Sequence, residues 1–208
     1  MAWFTRFTRF GDAHMVFGQE RAISCGLAAV IMAAFKVNKL VPGVKALFDE
    51  DTILQKATAL LGPNPLGSGG LGNPEILQML NHPDLNMPGW KLETLPSTSV
   101  PAKIMQKVGV SPGFGPTVNV TPMVVGIDWN GGGGHWVVVD TVRTILGHSW
   151  ATVCDPWDSD VHVTGLALNQ KFNYTGDQEL KVDFWGTHYE YNTPSVGGAF
   201  IGDVLYRD

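Results

Sequence analysis

The chain has 208 residues, 44% of them hydrophobic and 16% charged, with a formal net charge of −5. That length supports one sizeable core or two lobes around a cleft, and the apolar share excludes a disordered chain. The acidic balance without a basic block argues against nucleic acid or an anionic membrane as the main partner, and two cysteines, Cys25 and Cys154, are too few for a disulfide scaffold.

Residues 1–23 read as an extended arm anchored by Phe4, Phe7 and Phe10. Its aromatic and polar residues alternate, so it carries no secretory signal of the usual form, and the longest apolar run, Gly26 to Phe35, is too short to span a bilayer. The expected location is therefore the cytoplasm, or a target cell reached through a dedicated secretion system. A helix is predicted from Ser24 to Lys36, because Leu27, Val30, Ile31, Ala34 and Phe35 recur at helical spacing. Ser24 is placed at its N-cap, which puts Cys25 on the first turn, where the dipole and free amides stabilise a thiolate. Val44 to Leu61 reads as a second helix, ended by Gly62-Pro63-Asn64-Pro65; a glycine-rich loop, Gly67 to Gly72, then leads into a short helix at Pro74–Asn81.

Residues 82–118 read as irregular, with a helical turn at Pro101–Val108. Beyond them Val118–Ile127, His135–Arg143, Ser149–Cys154, Asp160–Val163 and the tail Gly197–Tyr206 read as strands. Helices followed by strands predict an α+β fold in a single domain, residues 1–208, with a helical lobe over about 17–112 and a β-sheet lobe over about 113–208. No internal repeat is evident.

The residues that carry chemistry are scattered. Cys25 begins an apolar helix and His135 heads a strand behind four glycines, Gly131 to Gly134. Consecutive glycines give no packing and suit a place where another chain's backbone comes close, which makes Gly134 a candidate for substrate contact. Asp155 lies 20 residues after His135, room for a strand, a turn and a returning strand. A thiol, an imidazole and a carboxylate are the parts of a nucleophile site in which the imidazole moves the proton and the carboxylate orients the ring. Asp158 and Asp140 are the rival orienters; Asp140 has an odd offset from His135, so a regular strand points it to the other face.

With Gln19 six residues before Cys25, the order Cys, His, Asp resembles the papain-like cysteine peptidases, and within them the bacterial branch that includes the peptidase domains of bacteriocin exporters. The resemblance rests on the segments around Gln19, Cys25, His135 and Asp155 and spans roughly residues 17–160. It implies a two-lobe fold and hydrolysis of a peptide or isopeptide bond. Cys25 is then the nucleophile, His135 the proton carrier and Asp155 its orienter. Gln19 and the Cys25 amide stabilise the oxyanion. Gly69 and Gly70 form a cleft edge that pairs with extended substrate, and Trp136 covers the ion pair or fills core. The pattern also departs from the family: Gly26 stands where an aromatic usually follows the nucleophile, and Asp155-Pro156-Trp157 replaces Asn-Ser-Trp.

The same parts suit a deamidase or transglutaminase-like effector acting on side-chain amides, and an inactive scaffold would bind without turnover. By analogy the chain is a bacterial effector or toxin domain, which would need a cognate immunity or inhibitor protein in its cleft. No metal or organic cofactor is expected, since His14, His82, His148, His162 and His188 lack ligand spacing, and Gly67-Ser-Gly-Gly-Leu-Gly72, although it fits a dinucleotide pattern, follows no buried strand. Asn119-Val-Thr and Asn173-Tyr-Thr match glycosylation acceptors, which matter only in a secreted chain.

Overall fold

The computed structural model describes residues 2–38, 49–114, 117, 121–175 and 195–208. Residues 44–48 of the expected second helix, 118–120 of the expected strand and the acceptor at Asn119 lie outside them. The N-terminal arm is a hairpin, β1 (Trp3–Phe7) and β2 (Ala13–Phe17), paired from Trp3 with Phe17 to Phe7 with Ala13. Of the three expected anchors Phe4, Phe7 and Phe10 only Phe4 is fully buried, together with Phe17 at the end of β2.

Helix α1 (Cys25–Val37) is buried on every side from Gly26 to Phe35, as expected of a helix apolar all round. Ser24 occupies its N-cap position but makes no capping bond. Its hydroxyl instead donates to the Arg21 carbonyl and accepts the Arg21 amide, a local turn that outcompetes the cap. Helix α2 (Glu50–Leu61) is capped by Asp49, which accepts the Thr52 amide at 2.7 Å. Helix α3 (Asn73–Leu80) follows the glycine-rich loop, and α4 is a full helix over Val100–Val108 rather than a single turn.

Strands β3 (Trp90–Thr94) and β4 (Val110–Pro112) fall in the stretch read as irregular. With β5 (Met123–Trp129), β6 (Gly134–Ile145), β7 (His148–Asp155), β8 (Asp160–Gly165), β9 (Asn173–Tyr174) and β10 (Gly198–Arg207) they build one sheet in the order β3-β10-β5-β6-β7-β8. Strand β9 pairs with β10, and β4 lies parallel to the far half of β6; the other pairings are antiparallel. The molecule is therefore α+β, with a large antiparallel sheet and few helices. Because β3 joins this sheet from residues 90–94, helices and strands do not divide cleanly at about residue 112.

The sheet is buried on both faces. Along β6, Trp136 and Val138 join Leu27, Ile31 and the α2–α3 side chains in one core, while Val137 and Val139 join Val100, Ile104 and Val108 of α4 in the other. Helix α1 packs along β6. The eleven-residue rise from Cys25 to Lys36 and the five-residue rise from His135 to Asp140 both come to about 16 Å, so the two elements run side by side at matched pitch.

Candidate active site

The loop before α1 is held by its own backbone and by one buried acid. Glu50, fully buried at the start of α2, accepts the Glu20 amide at 2.7 Å and the Arg21 guanidinium at 2.5 Å. Burial pushes the Glu50 carboxyl up, against the pull of these donors. The Gln19 amide donates to the Pro156 carbonyl at 2.8 Å and so ties this loop to the turn after β7. Gln19 Nε2 donates to the carbonyls of Arg21 (2.7 Å) and Ala22 (3.2 Å), and its buried Oε1 has no partner among the described residues.

Cys25, partly exposed, is the first residue of α1 and packs against the α1 core. The glycine-rich loop lies flush on it. A Cβ at Gly26 would sit 3.1 Å from Leu71 Cβ and 3.1 Å from Ile76 Cδ1, which is why no aromatic fits after this cysteine. Gly70 has φ +81°, and a side chain there would meet the Ile23 carbonyl at 2.6 Å. Trp136 is buried and its Nε1 donates to the Leu71 carbonyl at 3.0 Å, so this side chain fastens the glycine loop to the sheet. Gly69 is exposed, with open space around it.

His135, near the start of β6, donates Nε2 to Asp155 Oδ1 at 2.7 Å. That leaves Nδ1 on the side of Cys25, whose sulfur lies near enough to act on the charge of the ring. Burial alone drives the ring toward neutrality, but Asp155 and Cys25 outweigh it and hold the imidazolium up to about 10. Asp155 ends β7 and is fully buried. Burial would raise its carboxyl; the His135 ring, the His162 ring and the Ser195 hydroxyl hold it well below the usual carboxylate range.

A β-bulge decides that these two residues face each other. Past the bulge Thr141 pairs with Thr152, whereas before it Val138 pairs with Cys154. Without the extra residue, Asp155 would lie opposite Val138 and point to the wrong side of the sheet; with it, Asp155 lies opposite Val137, on the face of His135. The extra residue is Asp140. It is bonded to His14 Nδ1 at 2.9 Å and to the Lys36 ammonium, far from His135. The other rival, Asp158, is engaged by His162 (3.2 Å) and by the Ser195 amide (3.0 Å).

Four residues that sequence reasoning missed complete the surroundings. Asp155 Oδ1 also accepts the Trp157 amide at 2.8 Å, and Oδ2 accepts the Tyr174 and Ser195 hydroxyls, each at 2.6 Å. The Trp129 ring lies 5.2 Å from the His135 ring and 4.6 Å from the Trp157 ring. Gly131 is tucked under Trp129, where a Cβ would come within 2.7 Å of the indole, whereas Gly132, Gly133 and Gly134 have open space above them. No spacing or motif marks Tyr174 or Ser195. A groove of about 360 Å³ beside the nucleophile loop is lined by Arg21, Ile23, Leu54, Thr58, Pro65 and Leu66.

Among the described residues two groups of donors lie close enough to hold a metal, His14–Asp140–Cys154 and Asp155–Asp158–His162, each within 4.8 Å. In the first the Lys36 ammonium takes the Asp140 oxygen that a cation would need. In the second the carboxylate oxygens are occupied by hydrogen-bond donors. Among the described residues no helix is long and apolar enough to cross a membrane.

No protein-family model matches the chain, and no curated protein matches it. Among solved structures, the chain is similar to a double-glycine-motif protease from an AMS/PCAT transporter, solved in complex with its leader peptide. The TM-score is 0.40 at 16% identity, over 92% of this chain and 88% of that one.

Proposed function

We propose that the chain is a papain-like cysteine peptidase of the bacterial type, with its substrate extended across a cleft between a helical and a β-sheet lobe. One observation supports this reading: His135 and Asp155, from two separate strands, are hydrogen-bonded through Nε2, and Cys25 at the head of α1 lies near enough to act on the charge of the same ring. Cys25 attacks the scissile carbonyl and forms an acyl-thioester. The imidazolium protonates the leaving amine, and the neutral ring then takes a proton from the water that releases the acid.

The developing oxyanion is met by the Cys25 amide, which has no intrahelical partner at the head of α1, and by Gln19 once its carboxamide turns from the Arg21 and Ala22 carbonyls. Gly69 and Gly70 on one side and Gly134 on the other leave backbone accessible for an extended peptide. Trp136 contributes by fixing the glycine loop.

Incubating a broad peptide library with the wild type and with Cys25→Ala tests the reading. Scission by the wild type alone is the expected result. Equal scission by both would sink it, and a gain of about one dalton without scission would reassign the same site to deamidation.

A further inference from the structure

A carboxylate has about four lone-pair positions, and those of Asp155 are filled. Oδ1 accepts His135 Nε2 and the Trp157 amide; Oδ2 accepts Tyr174 Oη and Ser195 Oγ at 2.6 Å each. Asp155 is fully buried, so water does not stand in for a lost donor. Both hydroxyls on Oδ2 come from beyond β8, from a part of the chain with no counterpart in the sequence resemblance.

The two donors are themselves held. Ser195 donates its amide to Asp158 Oδ2 at 3.0 Å, and its oxygen accepts the Gly197 amide at 3.1 Å, which directs the hydroxyl proton at Asp155. Asp158 is braced by His162 at 3.2 Å. The Tyr174 ring packs 5.3 Å from the His162 ring and 6.2 Å from Phe200, and burial together with Asp155 pushes its phenol up, so the proton stays on the donor. The ionisable groups around Asp155 are thus His135 on β6, Tyr174 on β9, His162 on β8 and Asp158 in the turn between β7 and β8.

We propose that Tyr174 and Ser195 are positioning residues of this site: their hydroxyls clamp Asp155 Oδ2, keep the carboxylate ionised and aim Oδ1 at His135. The physical reason is a competition over one proton. A buried carboxylate beside an imidazolium can take the Nε2 proton and leave a neutral pair, whose remaining Nδ1 proton is held far more tightly and is a much weaker acid toward a leaving amine. Hydrogen bonds donated to the carboxylate favour its charged form and keep the Nε2 proton on His135. Two bonds on Oδ2 also stop the carboxylate from rotating about its last torsion. The effect on turnover rests on the peptidase reading; the ionisation of Asp155 does not.

The experiment uses the full chain with Tyr174→Phe, Ser195→Ala and Ser195→Thr, in the wild-type and Asp155→Asn backgrounds. The carboxyl carbon resonance of Asp155, assigned by its loss in Asp155→Asn, is followed against pH, and kcat and KM are measured on any substrate the library yields. Each hydroxyl removed is expected to move the Asp155 titration upward by about one unit and to lower kcat about tenfold, with KM within about two-fold. Ser195→Thr, which keeps the hydroxyl, restores both, and neither Tyr174→Phe nor Ser195→Ala lowers kcat further in the Asp155→Asn background. An Asp155 titration unmoved in Ser195→Ala, or losses of equal size in both backgrounds, would show that these side chains only fill space and would overturn the proposal. The resonance reads the clamp even if the library yields no substrate.

Discussion

Among the described residues two cysteine–histidine–aspartate clusters stand out, and helix α1 reaches both. At its first residue it presents Cys25 to His135 and Asp155; in its last turn it presents Lys36 to Asp140, beside His14 and Cys154. The residue types match and the environments do not. Cys25 is partly exposed, whereas Cys154 is fully buried. Burial and the adjacent Asp140 push the Cys154 thiol well above its ordinary value, against the pull of Lys36. In the first cluster the carboxylate is bonded to the His135 ring, with the His162 ring also acting on its charge; in the second the ammonium of Lys36 shares the carboxylate with His14. The first cluster therefore offers an accessible cysteine and a carboxylate that no lysine shares among the described residues. The second cluster has neither and serves to pin the bulge at Asp140.

Removing each thiol breaks the comparison most directly. Cys25→Ala is expected to lower turnover by on the order of 10³-fold or more, while Cys154→Ala leaves it within about two-fold, as read by hydrolysis rates on one substrate. Alkylation by iodoacetamide near neutral pH, mapped by mass spectrometry, should label Cys25 and spare Cys154 in the folded chain. Labelling of both at the same rate would erase the distinction.

Neutralising the first carboxylate comes next. Asp155→Asn is expected to lower kcat by about 10²- to 10⁴-fold. It also shifts the pH profile. His135 is held up to about 10, above its reference of 6.5, so the stability of the ionised pair is fully present below about 6.5 and is lost as pH rises through about 10. With the carboxylate gone, burial acts with less opposition, the ring loses its proton at lower pH, and the alkaline limb of Cys25 alkylation moves down.

In the second cluster the matching change acts on stability. Lys36→Met leaves Asp140 buried with His14 alone and should destabilise the fold by about 3–5 kcal/mol, seen as a lower denaturant midpoint, with the alkaline limb of Cys25 labelling unmoved. The smallest expected effect is that of Trp136→Phe. It removes the bond to the Leu71 carbonyl, costs about 1 kcal/mol, and raises KM more than it lowers kcat, because the glycine loop loosens while the His135–Asp155 pair stays intact.

Much of the framework was legible in local pattern. The period of Leu27, Val30, Ile31 and Ala34 located α1 within a residue, and the β-rich runs located β6, β7, β8 and β10. The arm was legible as extended, but its folding back into the hairpin β1–β2 was not, because the buried set includes the charged Arg6, which polarity alone assigns to solvent. Strand β3, Trp-Lys-Leu-Glu-Thr, is a largely polar edge that hydropathy does not separate from a loop. Asp140 shows the limit most clearly. Its odd offset correctly removes it from His135, but that same parity, carried across a regular hairpin, would remove Asp155 as well; the bulge that rescues Asp155 leaves no mark in the residue order.

By itself the sequence determined α1 and the strands β6, β7, β8 and β10, with the residue types at their ends, since helical and strand periods and turn residues are properties of neighbours along the chain. It placed a thiol at a helix start, a ring at a strand start and a carboxylate one hairpin away. The tertiary structure alone decided which of two cysteines lies beside His135, that Asp155 shares a face with His135, and that Tyr174 and Ser195 close around Asp155. Those outcomes depend on register, burial and through-space charge, which couple residues tens to more than a hundred positions apart and so are set only when the sheet and α1 pack together.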